Sequence, residues 1–237
     1  MNYFNLHIPA DNAGFGMFSA GHITWLVIGA AFCVAMCRIY RKAGNKKLIR
    51  YIVAGAALFL EIFRAVLMLC AGEYNIYTLP LHLCGIAVYL NALHAVKGGG
   101  KLGQFLYAFC FPGAVFALVF PDWEYFPLFN ILTTMAFELH ILIVCYIVMQ
   151  HDEIQPDIRH APGNLAIMLC LAVPVFFFNK VFSTNYMFLN WPVVPLTLFS
   201  WLGRPGYLLG YIPITALTWC VIYLPVSLRS TRYLRRR

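Results

Sequence analysis

Charged residues are scarce in this chain, and their scarcity excludes a water-soluble fold. Only 11% of the 237 residues are Asp, Glu, Lys or Arg, whereas a soluble domain averages about 25%. Hydrophobic residues make up 62%, and the mean hydropathy is +0.74. The few charges separate apolar runs of about 20 residues, the length that a helix needs to cross a bilayer. The sequence therefore predicts a multi-pass protein of the cell membrane.

Several signatures of soluble enzymes are also missing. The sequence contains no GxSxG elbow, no P-loop and no dinucleotide-binding fingerprint. Its eight cysteines fall almost entirely inside the apolar runs, with a spacing unlike a disulfide or zinc framework. Histidines and carboxylates are present, but no HxxxH or ExxH pair supplies two metal ligands from one helix. We therefore expect no metal and no cofactor.

The apolar runs predict an all-α fold, a polytopic membrane bundle of seven transmembrane helices. The bundle forms a single integral membrane domain over residues 1–237, in which short loops make consecutive helices antiparallel. The predicted spans cover residues 23–40, 50–71, 79–96, 102–120, 127–149, 162–183 and 206–228.

The basic residues predict the orientation of this bundle. Lys and Arg gather in the loops after the first, third and fifth spans and in the Arg-rich tail, whereas Arg204 stands alone on the opposite side. Because Lys and Arg remain cytoplasmic, the amino terminus is predicted outside and the carboxyl terminus inside. The net charge of +8 then fits anionic lipid headgroups, and no nucleic-acid partner is expected.

Ionisable residues inside the spans are the strongest functional signal, because each costs on the order of 2.5–3.5 kcal/mol to insert. Glu61 and Arg64 lie three residues apart in the second span, on one helix face, where they can form an ion pair. His82 lies in the outer turn of the third span. We expect these groups to converge with those of the fifth span in one outward-facing polar cavity.

Further polar residues are predicted at the same depth. The fifth span carries Asn130, Thr134 and Glu138 as a stripe facing the bundle, and His140 is rotated about 200° from Glu138. The sixth span, predicted to bend or break at Pro174, ends in Asn179 and Lys180. His22 opens the first span. Each histidine alone is more often an interhelical contact than a catalyst, so the prediction depends on the group as a whole.

The last outer loop, Ser183 to Gly206, is long, aromatic and nearly uncharged. A loop surrounded by water would be polar, so two structures remain open for it. It either lies at the membrane interface as an aromatic belt or folds into the bundle as a cover over a cavity.

Four short motifs carry a resemblance to known families. The motifs are "FSAGHITWL" in the first span, "LPLHLC" in the third, "ALVFP" closing the fourth and "TNYMFL" after the sixth. In combination they resemble the YwaF-type bacterial integral membrane proteins, over essentially the whole chain. A more distant similarity is to eukaryotic polytopic enzymes that acylate ether lysophospholipids. Those enzymes use a cysteine directly before a histidine, whereas this chain has Leu81 before His82, with Cys84 on another helix face.

The resemblance implies a lipid-facing cavity and a lipid acyltransferase or hydrolase. In that hypothesis His82 is the base, His140 or Glu138 orients it or the substrate, and Arg64, held by Glu61, binds a headgroup or an oxyanion. Thr78 and Thr134 are possible hydroxyl nucleophiles. The candidate substrate-binding residues are Glu61, Arg64, His22, Asn179, Lys180, Asn185 and Tyr186. The expected partners are membrane lipids and a lipid or small-molecule substrate.

Two alternatives stay open from the sequence. The same residues could bind a small molecule without reacting, as in a transporter or a ligand-sensing membrane module. A purely structural bundle is the third reading, in which Arg64→Leu would damage folding while His82→Ala would be silent.

Overall fold

The computed structural model describes residues 17–120, 131–193 and 195–234, with the side chains of 131–134 and 227–234 outside that description. Within these ranges the chain is helical and forms no strand. The first half contains α1 (Ala20–Lys42), α2 (Lys46–Cys70), α3 (Leu83–Lys97), α4 (Gly100–Phe105), a π-helical turn (Leu106–Cys110) and α5 (Phe111–Val119).

The second half begins with the long helix α6 (Ile131–Met149) and the short α7 (His151–Ile154). It continues with α8 (Ala161–Phe182), α9 (Gly203–Gly206) and α10 (Tyr211–Leu234). Four 3₁₀ turns connect these helices, at Ile158–His160, Tyr186–Phe188, Leu196–Leu202 and Tyr207–Gly210.

Five helical stretches of the described chain are long and apolar enough to cross a membrane. They are Ala20–Lys42, Lys46–Cys70, Gly100–Val119, Ile158–Phe182 and Leu196–Val226, and two shorter apolar helices cover Leu83–Lys97 and Met135–Met149. Large hydrophobic side chains are exposed on the outer faces, among them Val27, Phe59 and Val181 at 61%, 63% and 74%. Such faces are stable in lipid and not in water, so the chain is a multi-pass membrane protein.

The core lies where α2, α3 and α6 pack against one another, with α1 on the other side of α6. Small residues make the close approach possible: Ala54, Ala57 and Ala87 are at most 2% exposed. Small side chains allow membrane helices to pack closely, where van der Waals contact replaces the hydrophobic effect.

The bundle has two polar ends, which we name by one residue each. The His82 end is where α2 finishes, α3 and α6 begin and α8 finishes. The Glu153 end is where α1 finishes, α2 begins and α6 leads into α7. The sequence predicts that the His82 end faces outside.

Some predicted boundaries are wrong in detail. The third span is expected from residue 79, but α3 begins only at Leu83, because His82 is extended and the backbone of Pro80 lies close to Gly85. Pro174 does not interrupt α8, which runs unbroken to Phe182; a bend at Pro174 stays a prediction. Asn130 and the side chain of Thr134 lie outside the described residues.

Candidate functional site

Glu61 and Arg64 form the ion pair predicted from their spacing. Arg64 donates two hydrogen bonds to the Glu61 carboxylate, Nη2 to Oε1 at 2.8 Å and Nε to Oε2 at 3.2 Å. Its Nη1 contacts the Met68 sulfur at 3.5 Å. A guanidinium has five N–H donors, so two remain for a ligand. The Glu61 side chain is 3% exposed and that of Arg64 is 21%, which places the carboxylate inside and the cation at the edge.

His82 is held at the start of α3 by a close approach of the preceding backbone. It is the N-cap residue in an extended conformation, and its side chain caps no backbone N–H. Gly85 makes this possible, because a Cβ there would lie 2.9 Å from backbone atoms of Pro80. The segment before α3 therefore folds directly onto the first helical turn and fixes the position of His82.

The His82 ring has aromatic neighbours but no hydrogen-bond partner among the residues that the structure describes. It contacts Tyr186 edge-on, with ring centroids 5.0 Å apart, and Phe188 at 5.3 Å. The residue is half-buried. Neither imidazole nitrogen is bound within the described part of the chain, which is uncommon for a histidine in an apolar environment.

His140 joins His82 to the ion pair. Electrostatic interactions connect it with Glu61 and Arg64 on α2 and with His82 on α3. Its Nδ1 lies 2.6 Å from the Ala136 carbonyl, which can only accept, so Nδ1 carries the proton and Nε2 the lone pair in the neutral ring. We name Glu61, Arg64, His82 and His140 the α2–α3–α6 cluster.

Tyr186 closes the cluster from the loop after α8. Its hydroxyl donates to the Ile76 carbonyl at 2.7 Å and accepts from the Leu79 backbone N–H at 2.9 Å. Burial raises the pKa of Tyr186 above its ordinary value, so the hydroxyl remains a donor. The loop thereby holds the segment before His82, while the Tyr186 ring contacts the imidazole.

The loop itself is fixed by side-chain amides. Asn179 is fully buried and makes three hydrogen bonds: it accepts from Thr184 Oγ1 at 2.7 Å and Tyr186 N at 2.9 Å, and donates to Tyr186 O at 2.8 Å. Asn185 accepts from two backbone N–H groups, of Asn190 and Trp191. The structure thus uses both amides to hold the loop.

Met187 and Phe188 adopt left-handed backbone conformations, with φ of 53° and 54°. Such residues cost free energy and persist only where the surroundings fix them. Here Tyr207 donates to the Phe188 carbonyl at 2.9 Å and Tyr211 to that of Met187 at 2.7 Å. This conformation turns Phe188 towards His82.

The two halves of the Ser183–Gly206 loop differ in burial. Its first half folds into the bundle, with Tyr186 and Met187 at 2% and 6% exposed. Its second half exposes Leu198 and Trp201 at 73% and 78%. The interfacial belt and the cover over a cavity both stay predictions.

Three predicted site residues lie apart from the cluster in their described contacts. His22 bridges α1 to the end of α5, with Nε2 2.8 Å from the Leu118 carbonyl and Nδ1 accepting from Phe18 N. Glu138 is half-buried and makes no hydrogen bond or ion pair with the described part of the chain. Lys180 is exposed, donates to Asn190 Oδ1 at 3.0 Å and lies over the Phe176 ring.

Cys84 packs against the hydrophobic core. No group of three or more His, Cys, Asp or Glu side chains in the described ranges is arranged to hold a metal ion. The α2–α3–α6 cluster offers hydrogen-bond donors and acceptors, an ion pair and two imidazoles that can transfer protons.

Phe188 is the neighbour of His82 that sequence reasoning missed. The "TNYMFL" motif marked this segment, but a left-handed phenylalanine has no sequence signature. Only the contacts of Tyr207 and Tyr211 reveal why it faces the imidazole.

Comparison with known families gives one match, which covers most of the chain. The family model described as "TMEM164 family" matches residues 17–223. The chain belongs to the TMEM164 family. No curated protein and no solved structure matches it.

The family match runs from just before α1 into α10, so it includes every residue of the α2–α3–α6 cluster. It confirms the expectation of a multi-pass membrane protein family. The resemblances to YwaF-type proteins and to ether-lysophospholipid acyltransferases stay predictions.

Proposed function

We propose that this TMEM164 family member acts on a lipid ester in the membrane, as an acyltransferase or hydrolase. The observation that carries the proposal is the His82 imidazole, whose nitrogens bind nothing among the described residues. His140 interacts electrostatically with His82 and also with the Glu61–Arg64 ion pair. We further propose that these groups line a cavity open at the His82 end of a seven-helix bundle, and that this end faces outside.

The net charge of the cluster favours an ester over a free anion. Glu61 already neutralises Arg64, so with neutral imidazoles the cluster carries no net charge. A bound carboxylate or phosphate would leave an excess negative charge in an apolar environment. An ester carbonyl is neutral when it binds, and its oxygen becomes charged only during reaction, so the remaining Arg64 donors stabilise the transition state more than the bound ester.

The proposed reaction requires no cofactor. His82 accepts the proton of an acceptor hydroxyl, from a second lipid or from water, while the hydroxyl oxygen bonds to the ester carbon. The carbonyl oxygen takes the negative charge and is held by Arg64 N–H groups. The intermediate then expels the original alkoxide oxygen, which takes the proton back from His82. His140 stays beside the imidazole that becomes charged, and Glu61 holds Arg64 in place.

The test is an assay on purified protein in vesicles that contain phospholipid with a labelled acyl chain. We expect release or transfer of the label, and loss of that activity to background in His82→Ala. The matched control is His160→Ala, because His160 is exposed and lies beyond the Glu153 end. Arg64→Lys should also be impaired, because a lysine keeps the charge but loses the two-pronged contact with Glu61. A wild-type protein inactive across lipid classes would refute the enzyme.

A small-molecule transporter is the second candidate, and one observation favours it. The same three helices carry a second buried polar group at the Glu153 end, where His94 on α3 bonds Tyr146 on α6 at 3.0 Å. Between the two polar groups lie the small buried residues Ala54, Ala57 and Ala87. In alternating access a substrate site opens first to one side of the membrane and then to the other. Polar groups on both sides of a tightly packed layer fit such a pathway. Solute flux into vesicles without any lipid turnover would support this function instead.

A further inference from the structure

The Glu153 end contains every buried side-chain polar atom that lacks a hydrogen-bond partner in the described ranges. These atoms are Arg50 Nε, both amide atoms of Asn91, and Gln150 Oε1. Asn91 is 0% exposed and Gln150 1%. Buried polar groups without partners are rare in native proteins, and an ordered water is a common explanation.

The four atoms belong to one region of the fold. Asn91 lies one turn from His94 on α3, so the two share a helix face. His94 bonds the Tyr146 hydroxyl, and Gln150 donates to the Tyr146 carbonyl at 2.9 Å. Arg50 on α2 interacts electrostatically with both His94 and Tyr146. The groups therefore lie around the same contact between α3 and α6.

The donors and acceptors among these atoms indicate which kind of ligand would fit them. Arg50 Nε and Asn91 Nδ2 are donors, whereas Asn91 Oδ1 and Gln150 Oε1 are acceptors. A cation would satisfy only the acceptors and be repelled by Arg50, and an anion would satisfy only the donors. Water both donates and accepts, and a buried water typically makes about three hydrogen bonds.

The region also has an aqueous side. Arg50 and Glu153 form an ion pair of 3.5 Å, with side chains 22% and 35% exposed. Tyr40 donates to Glu153 Oε2 at 2.8 Å, beside this pair. Solvent thus reaches the charged groups that border the buried amides.

We propose that Arg50, Asn91 and Gln150 hold internal water around the His94–Tyr146 contact, in a hydrated site that opens at the Glu153 end. This site gives His94 contact with solvent from the end opposite to His82. It is independent of the proposed lipid chemistry.

Radiolytic hydroxyl labelling of the full-length protein in its membrane mimetic tests the proposal directly, because bound water labels the side chains beside it. Tyr146 and Phe105 are both 0% exposed, which makes Phe105 the matched control. We expect oxygen incorporation at Tyr146 several-fold faster than at Phe105. Equal, background labelling of both rings would overturn the proposal.

Asn91→Leu provides a second, independent readout. Leucine has the same branching but no polar atoms, so the water would lose a donor and an acceptor. We expect slower labelling of Tyr146 with unchanged Phe105, and a lower unfolding temperature. If the site is dry, the same substitution removes two unsatisfied groups and raises the unfolding temperature, which refutes the inference. If Asn91→Leu does not fold, the comparison of Tyr146 and Phe105 labelling in the wild-type protein still tests the proposal.

Discussion

Removing the Glu61 charge while keeping its shape should destabilise the fold severely. Glu61→Gln leaves Arg64 without its carboxylate, in a position where only 21% of its side chain is exposed. At 2.8 Å and an effective dielectric of about 20, the direct attraction is about 6 kcal/mol before desolvation. Breaking a buried pair from one side typically costs about 3–5 kcal/mol, and we expect Glu61→Gln to lower the free energy of unfolding by that amount.

A double-mutant cycle separates the interaction energy between Glu61 and Arg64 from the effect of replacing each residue alone. Glu61→Leu with Arg64→Leu removes both charges, so the double variant should be clearly more stable than Glu61→Leu alone. The comparison pair is Arg41–Asp152, at 3.6 Å with side chains 64% and 65% exposed; Asp152→Asn should cost less than about 1 kcal/mol. The assay is reversible unfolding in mixed micelles. A loss below about 1 kcal/mol for Glu61→Gln would refute the buried pair.

The remaining predictions concern the backbone that carries His82. Tyr186→Phe should lower the free energy of unfolding by about 1–3 kcal/mol, because the Leu79 N–H loses its acceptor, measured in the same unfolding assay. Gly85→Ala should reduce lipid turnover without touching any cluster side chain, because its Cβ would lie 2.9 Å from Pro80 and force that segment away. Gly55→Ala meets open space within α2 and should stabilise the fold by about 0.5–1 kcal/mol with unchanged turnover.

The predictions for Tyr186→Phe and Gly85→Ala each have an outcome that would contradict them. Tyr77 is 63% exposed, so Tyr77→Phe should be neutral, and an equal loss in both tyrosine variants would exclude a special role for Tyr186. Full turnover in Gly85→Ala would show that the position of His82 does not depend on the close approach of Pro80.

Hydropathy was a good guide to the helices because the membrane imposes length and composition on each span. The predicted second span, 50–71, and sixth span, 162–183, agree with α2 and α8 within a few residues. The start of α3 was missed because the run from Thr78 is equally apolar whether helical or extended. Before Leu83 the chain instead folds back so that Pro80 lies close to Gly85, and hydropathy does not report such a backbone approach.

The sequence predicts the site residues that carry a charge inside an apolar span. It does not predict those whose role depends on which backbone groups they contact. Glu61 and Arg64 stand out in any apolar run, and their spacing alone predicted their contact. The sequence could not show that Asn179 and Asn185 serve the loop backbone, since an asparagine that binds a ligand looks the same. The hydrated group at the Glu153 end was overlooked because Asn91 and Gln150 are uncharged and isolated in sequence.

The π-helical turn Leu106–Cys110 sets the rotation of α5 about its axis relative to α4. Trp219 of α10 donates to the Ala108 carbonyl within this turn at 3.0 Å, and Tyr107 donates to Ile222 at 2.9 Å. Deleting one residue here would rotate α5 by about 100° relative to α4. The Leu118 carbonyl would then swing away from His22. One irregular turn thus sets how α5 meets α1 through His22 and how its own residues meet α10.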